Sequence, residues 1–458
     1  MNDQTDVRNA PAIEAIRPGI EASPPATLPS YEDPRLSRNS NFRWIVAGST
    51  IALLGSQFSS LAMPWLVLKL TGDPFALATV MVISGVPQIL LLLFGGGLAD
   101  MYSPKKIMVW SYICCALLLF GLSALLFADS IELWMIDVFA FTTGLVFGLS
   151  IPASFSLIAS TLPKEMVPAA SSAVGSIRQV AAFVGPLLAG ALLGVSQDGE
   201  VTATAAKAAP DVTIFAIAFL IDGIGLGLVA LIMHQVVFRP VPRVDDQPKS
   251  AFNLMPAVRW FLADRQALTV LCYWMLVAFV LSGPVRICLP LLAEQSTGLG
   301  AQAYGILVSA NAVGVFIGMT ALGLLRAKLS NRLWPAILVL DGVAAALLVA
   351  VGLVHPTLSY ALFVYIGLLV LIGTRGGFVE IAWFSWLQQR YPDDIRGRAT
   401  SVFMVISTIN ISGSVALSGW LSRQMPAKEL FIIAGAASLV VVAIGAVLRM
   451  SGLLRVDG

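Results

Sequence analysis

Long apolar runs alternate with short polar segments over most of the chain. A helix needs about 20 largely apolar residues to cross the ~30 Å hydrocarbon core of a bilayer, where its backbone groups can pair only within the helix. Twelve runs meet this condition, which predicts an all-α integral membrane protein with twelve transmembrane helices. They begin near Phe42, Phe75, Ile107, Leu133, Val167, Val212, Ala267, Gln302, Leu333, Ser359, Gly397 and Lys428.

The Lys and Arg residues fall unevenly on the two sides of these predicted spans. If the amino terminus is cytoplasmic, and leaving aside Arg8 and Arg17 of the tail, nineteen of them lie on the cytoplasmic side, against four on the other side: Lys69, Lys207, Arg423 and Lys428. Cytoplasmic loops of membrane proteins carry the excess of basic residues. Since one missed or invented span would invert every later loop, the asymmetry supports twelve spans with both termini cytoplasmic.

The two halves of the chain repeat each other. Six spans is an even number, so both copies enter the membrane in the same direction, as parallel repeats about an axis along the bilayer normal. This is the symmetry of an alternating-access carrier with its site between the halves. At an offset of 229 the matched pairs include Gly144 and Gly373, Gly148 and Gly377, Ala153 and Ala382, and Gly190 and Gly419; at 226 they include Pro64 and Pro290, and Gly72 and Gly298.

The repeat divides the chain into four segments. Residues 1–40, in which six prolines stand among polar residues, are predicted to be a disordered cytoplasmic tail. This tail lacks the apolar core of a cleavable signal peptide, so we expect the first span to direct membrane insertion. Residues 41–238 are the predicted N-terminal six-helix bundle, 239–266 a cytoplasmic linker and 267–458 the C-terminal six-helix bundle.

Composition narrows the range of functions. The chain is 57% hydrophobic and 12% charged with a net charge of +2, whereas soluble domains are about 25% charged. A soluble enzyme, a disordered hub and a nucleic-acid binder are therefore excluded. Two histidines at span ends, and no signature joining a nucleophile to a base, argue against a membrane enzyme. The four cysteines lack metal-ligand spacing, so we expect neither a metal nor a cofactor.

Two short stretches resemble signatures of the major facilitator superfamily. GGLADMYSPKK, between the second and third predicted spans, is similar to the family's loop signature, and GPLLAG in the fifth span is similar to its antiporter signature. The resemblance implies the major facilitator fold, in which the residues of these signatures help to set the conformation. They are Asp100, Lys105, Lys106, Gly185, Pro186 and Gly190.

Three further stretches, LAMPWLVLKLTG, IPASFSLIASTLP and LQQRYPDDIRGRATSVF, resemble the drug and siderophore exporter branch of the same superfamily. The branch consists of proton antiporters, so the resemblance implies a monomeric multi-pass protein of a bacterial inner membrane. Its expected partners are a small-molecule cargo, protons and membrane lipid, with no nucleic acid.

Seven ionisable residues lie within the predicted spans, where each costs a few kcal/mol and usually faces a cavity. Arg178 and Asp222 are each about 15 Å from a span end at 1.5 Å per residue, near the midplane. Asp137 and Asp341 lie within about two turns of a helix start, where they can reach the interface or cap a neighbour. The others are Arg286, Arg375 and Glu380.

These last three charges occur in only one of the two copies. In the other copy their partners are Ser60, Val146 and Ile151. A charge found in one copy indicates a role in cargo binding or proton coupling, and the alternative is a buried ion pair that holds helices together. Arg375 and Glu380 are five positions apart, about 140° around a helix, so each requires a partner from another span.

Mid-span arginines outnumber mid-span acids, which indicates an anionic cargo because the guanidinium fork suits carboxylates. A desolvated carboxylate near a cation changes its proton affinity with its surroundings, so Glu380 is the first candidate for proton coupling and Asp222 the second. The predicted function is proton-coupled export of a small amphipathic anion, such as a carboxylate siderophore, by alternating access. The predicted cargo-binding side chains are Arg178, Arg286, Arg375, Gln57, Asn311 and Trp383.

Two other functions stay open at this point. A broad multidrug pump would expel lipophilic cations, and Glu380 would then bind the charge of the cargo. A non-transporting sensor or scaffold would need a soluble output domain, and neither the tail nor the central loop is large enough to form one.

Overall fold

A computed structural model of the protein describes residues 39–101, 103–163, 165–195, 212–236, 255–296, 300–329, 332–355, 360–392 and 396–450. These residues contain thirteen helices and no strand. The helices are α1 Ser40–Thr71, α2 Pro74–Met101, α3 Pro104–Phe127, α4 Leu133–Thr161, α5 Val167–Gly194, α6 Thr213–Gln235, α7 Met255–Ala263, α8 Arg265–Ser296, α9 Ala301–Leu329, α10 Leu333–Leu353, α11 Ala361–Arg390, α12 Arg396–Leu421 and α13 Ala427–Met450.

Every helix except α7 is long and apolar enough to cross a membrane, which confirms the twelve predicted spans. Large apolar side chains are exposed around the bundle, as expected where the solvent is lipid rather than water. Among them are Trp110, Leu231, Leu324, Val339 and Phe363. Most of the predicted tail, residues 1–38, lies outside the described residues.

Local chemistry sets the ends of the first two spans. Asn39 caps α1 by accepting a hydrogen bond from the Phe42 N–H at 3.2 Å. Gly72 ends the same helix in the left-handed conformation, with φ 61°, where a Cβ would be strained. Asp73 then accepts from the Phe75 N–H at 2.9 Å and so starts α2. A turn of two residues therefore returns the chain to the membrane.

Helix α7 lies inside the segment predicted to be a linker. Its buried Phe261 and its half-buried Trp260 pack edge-to-face on Tyr391 at the end of α11, with centroids 5.7 and 5.2 Å apart. Asp264, which follows α7, accepts from Arg390 at 2.6 Å. Burial opposes ionisation there, but the hydrogen bonds from Arg390 and from backbone N–H groups hold the pKa of Asp264 below its usual value. The hydropathy pattern missed α7 because nine residues are too few to span a membrane.

The sequence repeat reappears in the way the helices cross. In the first half, α1–α6, Gly144 of α4 packs on the backbone carbonyl of Ser84 in α2. In the second half, α8–α13, its offset partner Gly373 of α11 packs in the same way on Asn311 of α9. Both crossings require glycine, because a Cβ at either position would collide with the facing backbone.

The seam between the halves follows the same symmetry. Helix α5 packs on α9, and its repeat counterpart α12 packs on α2. At Gly190 of α5 a Cβ would lie 3.0 Å from the Cα of Gly305 in α9. The offset partner of Gly190, Gly419 of α12, packs directly on Ala78 of α2. Small residues thus let the two halves approach closely at two equivalent places.

The described contacts along α5 and α9 lie towards one end of the bundle. Beyond Gly190, the Ser309 hydroxyl donates to the Phe183 carbonyl at 2.8 Å, and the Gln179 amide donates to Ala312 at 3.1 Å. Further along, a Cβ built at Gly175 or at Gly323 meets no described atom within 4 Å. We call the end of the bundle at which α1 begins and α13 ends the terminal end and the other the distal end. The seam is closed at the distal end, and α5 and α9 separate towards the terminal end.

Candidate functional site

Arg286 of α8 and Glu380 of α11 face an internal space in the second half. Both side chains are accessible, although protein atoms surround each of them. A side chain with these two properties faces a cavity rather than the outer surface. The two groups interact electrostatically, yet among the described residues neither has an ion pair or a hydrogen bond. The structure therefore brings two of the predicted site residues together with their charges unpaired.

Arg375, the third charge found in one copy only, has a partner. Its Nε lies 2.5 Å from Oδ1 of Asp341 in α10, and the Tyr273 hydroxyl of α8 donates to Oδ2 of the same carboxylate at 2.7 Å. Asp341 is 1% exposed. The guanidinium predicted to bind cargo is therefore used, in this conformation, to join α10 and α11. Sequence reasoning required a partner from another span but did not identify Asp341.

Glu380 lies near both guanidinium groups of the second half. It interacts electrostatically with Arg375, whose charge Asp341 already balances, and with Arg286, which has no such partner among the described residues. The charge of Arg286 is therefore the one left for Glu380 or for a ligand to balance. The ion pair with Asp341 therefore distinguishes Arg375 from Arg286, although the sequence predicted the same role for both.

Asp222, the second candidate for proton coupling, is in a different environment. It is 4% exposed on α6 and packs against α1, where its Oδ1 lies 3.0 Å from the position of a Cβ on Gly55. The Ser59 hydroxyl of α1 lies beside the same carboxylate. Asp222 is thus buried between helices, whereas Glu380 is accessible.

Arg178 is exposed on α5, on the same helical face as Gly185 two turns later. It has no hydrogen bond or ion pair with any described side chain. It lies one residue before Gln179, whose amide contacts Ala312 of α9. The structure leaves its guanidinium free and does not join it to Arg286 and Glu380.

The predicted polar side chains Gln57 and Asn311 serve helix packing in this conformation. The stem of Gln57 in α1 packs directly on Gly185 of α5, and its amide donates to the Leu53 carbonyl at 3.3 Å. The repeat counterparts of this pair, Gly283 and Ser414, pack on each other in the second half. The Asn311 amide donates at 3.3 Å to Leu369 of α11.

Trp383 is buried inside the second half rather than in the cavity wall. It is 2% exposed and stacks between Trp274 and Trp386, with ring centroids 6.3 and 5.4 Å away. The prediction that it binds cargo therefore does not match its position here, because neighbouring rings cover both of its faces. Tyr365 of the same helix is also buried, and its hydroxyl donates to the Val354 carbonyl.

The family signatures occupy two separate places. In GPLLAG, Gly185 receives Gln57, whereas Pro186 and Gly190 contact Gly305 across the seam. In the loop signature, Lys105 donates to the carbonyls of His234 and Val236 at 2.9 and 2.6 Å, where its charge suits the carboxyl end of α6. Lys106 is exposed, and the side chain of Asp100 lies outside the described residues.

Two contacts at the distal end were missed by sequence reasoning. Arg423, in the turn after α12, donates to both carboxylate oxygens of Asp73, and its guanidinium lies 4.2 Å from the centroid of the Phe75 ring. The hydrogen bond from Arg423 holds the pKa of Asp73 below its usual value, against the effect of burial. Trp65 of α1 stacks on Tyr304 of α9 at 6.2 Å, and Tyr304 interacts electrostatically with Arg286. The sequence contained one indication of the contact with Asp73: Arg423 is one of four basic residues on the distal side, where basic residues are few.

Comparison with known proteins gives a consistent result. The model of the Major Facilitator Superfamily matches residues 45–415. The enterobactin exporter EntS of Salmonella choleraesuis (strain SC-B67) is 22% identical over 390 residues, which cover 84% of this chain and 86% of that protein.

Solved structures show the same fold. The nucleoside transporter NupG aligns with a TM-score of 0.67 and 13% identity, covering 92% of this chain and 100% of that one. A bacterial homologue of the iron transporter ferroportin in an inward-facing state aligns with a TM-score of 0.61 and 16% identity, covering 91% and 99%. At these identities the likeness concerns the fold alone.

Proposed function

The chain belongs to the Major Facilitator Superfamily, a family of membrane transporters, and from this premise we propose that it exports a small amphipathic anion by proton-coupled alternating access. Among the described residues the accessible guanidinium of Arg286 has no ion-pair partner, and it lies beside the accessible carboxylate of Glu380; this arrangement carries the proposal. A guanidinium binds a carboxylate in a bidentate manner. A carboxylate near a cation is suited to exchange a proton when its surroundings change.

Export is the direction that we propose, and the expected orientation is compatible with it. With both termini cytoplasmic, as the positions of Lys and Arg predict, the terminal end faces the cytoplasm. In such an exporter, the state with the distal seam closed would be the one that loads cargo. When the halves rock, the site opens distally and a proton taken up there displaces the cargo. Only a difference in the affinities of the two states for proton and cargo can drive this exchange.

The class of cargo rests on chemistry and on one relative. Arg286 favours a carboxylate, and small-molecule sites in proteins are mostly lined by apolar side chains, which favours an amphipathic molecule. The relative named an enterobactin exporter adds support for a siderophore-like cargo. A carboxylate siderophore combines both properties and is the first cargo to test.

Reconstituted liposomes test the proposal. We expect an imposed proton gradient to drive uptake of a carboxylate siderophore into vesicles containing the intact chain. Glu380→Gln should reduce gradient-driven flux at least tenfold but retain exchange of cargo for cargo without a gradient. Glu429→Gln, at an exposed position at the start of α13, is the matched control and should behave as the intact chain. Full proton coupling in Glu380→Gln would show that another group carries the proton, and Asp222 would be the next candidate.

The free carboxylate of Glu380 also suits efflux of lipophilic cations, which is the second candidate function. The same vesicles distinguish the two. Transport of cations alone, with no flux of any anion, would exclude the anion proposal and support a multidrug pump.

A further inference from the structure

We infer that the cargo carries both a carboxylate and a separate cationic group, and that Arg286 binds the first while Glu380 binds the second. This inference rests on the proposed function and specifies the class of its cargo. The anionic group predicted from the sequence becomes one part of a zwitterion.

The charges of the second half point to this class. Of its four described mid-span charges, Arg375 and Asp341 neutralise each other in an ion pair of 2.5 Å. One positive group, Arg286, and one negative group, Glu380, are left facing the cavity. The excess of arginine that indicated a simple anion therefore does not exist at the cavity wall. A plain anion would bring a second negative charge towards Glu380, and a plain cation would bring a second positive charge towards Arg286.

The Arg286 guanidinium and the Glu380 carboxylate have opposite charges but are not in contact with each other. They interact electrostatically, but within the described residues they do not close an ion pair. Charged groups away from bulk water are stabilised when each has an opposite charge in hydrogen-bond contact. A molecule with a carboxylate at one end and an ammonium at the other supplies both contacts at once.

The other charged or titratable groups near the site do not remove this requirement. From α9, Tyr304 faces Arg286 and supplies a neutral hydroxyl. From α11 itself, Arg375 approaches Glu380 but is held by Asp341 of α10, which also binds the Tyr273 hydroxyl of α8. None of these groups balances Arg286 or Glu380.

A zwitterionic cargo also accounts for coupling in one step. A proton and the cationic group of the cargo would compete for the same carboxylate, so that binding of either weakens binding of the other. Protonation of Glu380 at the distal side would then remove one of the two anchors and release the cargo. A plain anion held by Arg286 alone would lack this direct competition.

Matched sets of small molecules test the inference on the intact chain. Each set has one apolar body in three forms: the free amino acid, its N-acetyl derivative and its methyl ester. A panel with phenylalanine, tryptophan and the dipeptide of phenylalanine and alanine covers three sizes. Affinities are measured by competition with the labelled siderophore at neutral pH. We expect at least one zwitterion to bind about tenfold more tightly than both of its blocked forms; a panel in which none does would overturn the inference.

Two variants sharpen this result. Glu380→Gln should move the preference towards the N-acetyl anion, and Arg286→Gln towards the methyl ester, each by about tenfold, while Glu429→Gln keeps the preference of the intact chain. Equal binding of zwitterion and N-acetyl anion, together with proton-driven siderophore flux, would overturn the inference and leave the proposed function standing. Absence of any proton-driven flux would overturn the proposed function itself.

Discussion

The two halves of the molecule are built on one plan but carry different charges. The helix crossings at glycine correspond in the two halves. Gly144 packs on a carbonyl of α2, the second helix of the first half, and Gly373 packs on a carbonyl of α9, the second helix of the second half. Their interiors do not correspond. The first half holds the buried Asp222 without a cation beside it among the described residues, whereas the second holds an ion pair and the accessible Arg286 and Glu380.

This difference separates structure from chemistry. Features shared by both copies are close contacts that let helices pack and the seam close, so they serve the conformational change. Features present in one copy are charges, which a lipid-embedded fold keeps at a cost of a few kcal/mol each. We therefore expect the second half to hold the cargo and the first half to act as the opposing wall that moves against it.

The largest effect is expected from breaking the ion pair of the second half. Asp341→Asn leaves the half-buried Arg375 without the carboxylate that balances its charge, which should destabilise the protein by about 3–5 kcal/mol. Asp222→Asn, in the first half, should change stability by less than about 1 kcal/mol, because no described cation loses a partner. Thermal unfolding in detergent, followed by tryptophan fluorescence, measures both.

The double variant Asp341→Asn/Arg375→Gln is the control for that experiment. It removes both charges and should recover part of the lost stability, since the penalty comes mainly from the unpaired guanidinium. Equal destabilisation by Asp341→Asn and Asp222→Asn would show that the ion pair adds nothing to the stability of the second half, and the proposed difference between the halves would be wrong.

A smaller effect is expected at the symmetric seam. Gly190→Ala and Gly419→Ala each place a Cβ against the facing helix when the distal end is closed. Overpacking of this kind costs about 1–3 kcal/mol, and here it should act on the closed state only. Both variants should therefore favour opening at the distal end, which labelling of Gln302→Cys at that end measures.

Gly121→Ala is the matched control, because a Cβ at Gly121 of α3 meets no described atom within 4 Å. It should leave labelling unchanged. If only one of the two seam variants increased labelling, the mechanical equivalence of the halves would be wrong even though their geometry corresponds.

Most of the fold could be predicted from the sequence, because apolar length and the bias of Lys and Arg act over whole spans. The candidate site could be predicted only in part. Arg286 and Glu380 were identified because their repeat partners are uncharged. The pairing of Arg375 with Asp341, 34 residues away, depends on which helices are neighbours. The burial of Trp383 depends on where its neighbours place their rings, and neither property is periodic in the sequence.

The smallest effect is expected at the distal rim, where the repeat is also broken. Asp73 of the first half binds Arg423 of the second, while their sequence counterparts, Leu299 and Gly194, are uncharged. Arg423→Gln should raise distal labelling by about two- to fivefold, because an exposed ion pair contributes only a small stabilisation. Asp73→Asn should do the same while keeping the cap on α2, because Asn also caps helices.

Salt and pH then identify the contact as an ion pair. High salt should raise distal labelling of the intact chain to the level of Arg423→Gln and leave that variant unchanged, because exposed charges are screened. The pKa of Asp73 is lowered by Arg423, so the stabilisation is present above the ordinary carboxyl value and is lost only as pH falls through the lowered value. The effect of this ion pair on distal labelling should therefore be constant between about pH 5 and 8, a range that lies above the ordinary pKa of Asp. A pH dependence in that range that disappears in Asp73→Asn would mean that the rim, and not the cavity at Glu380, senses the proton.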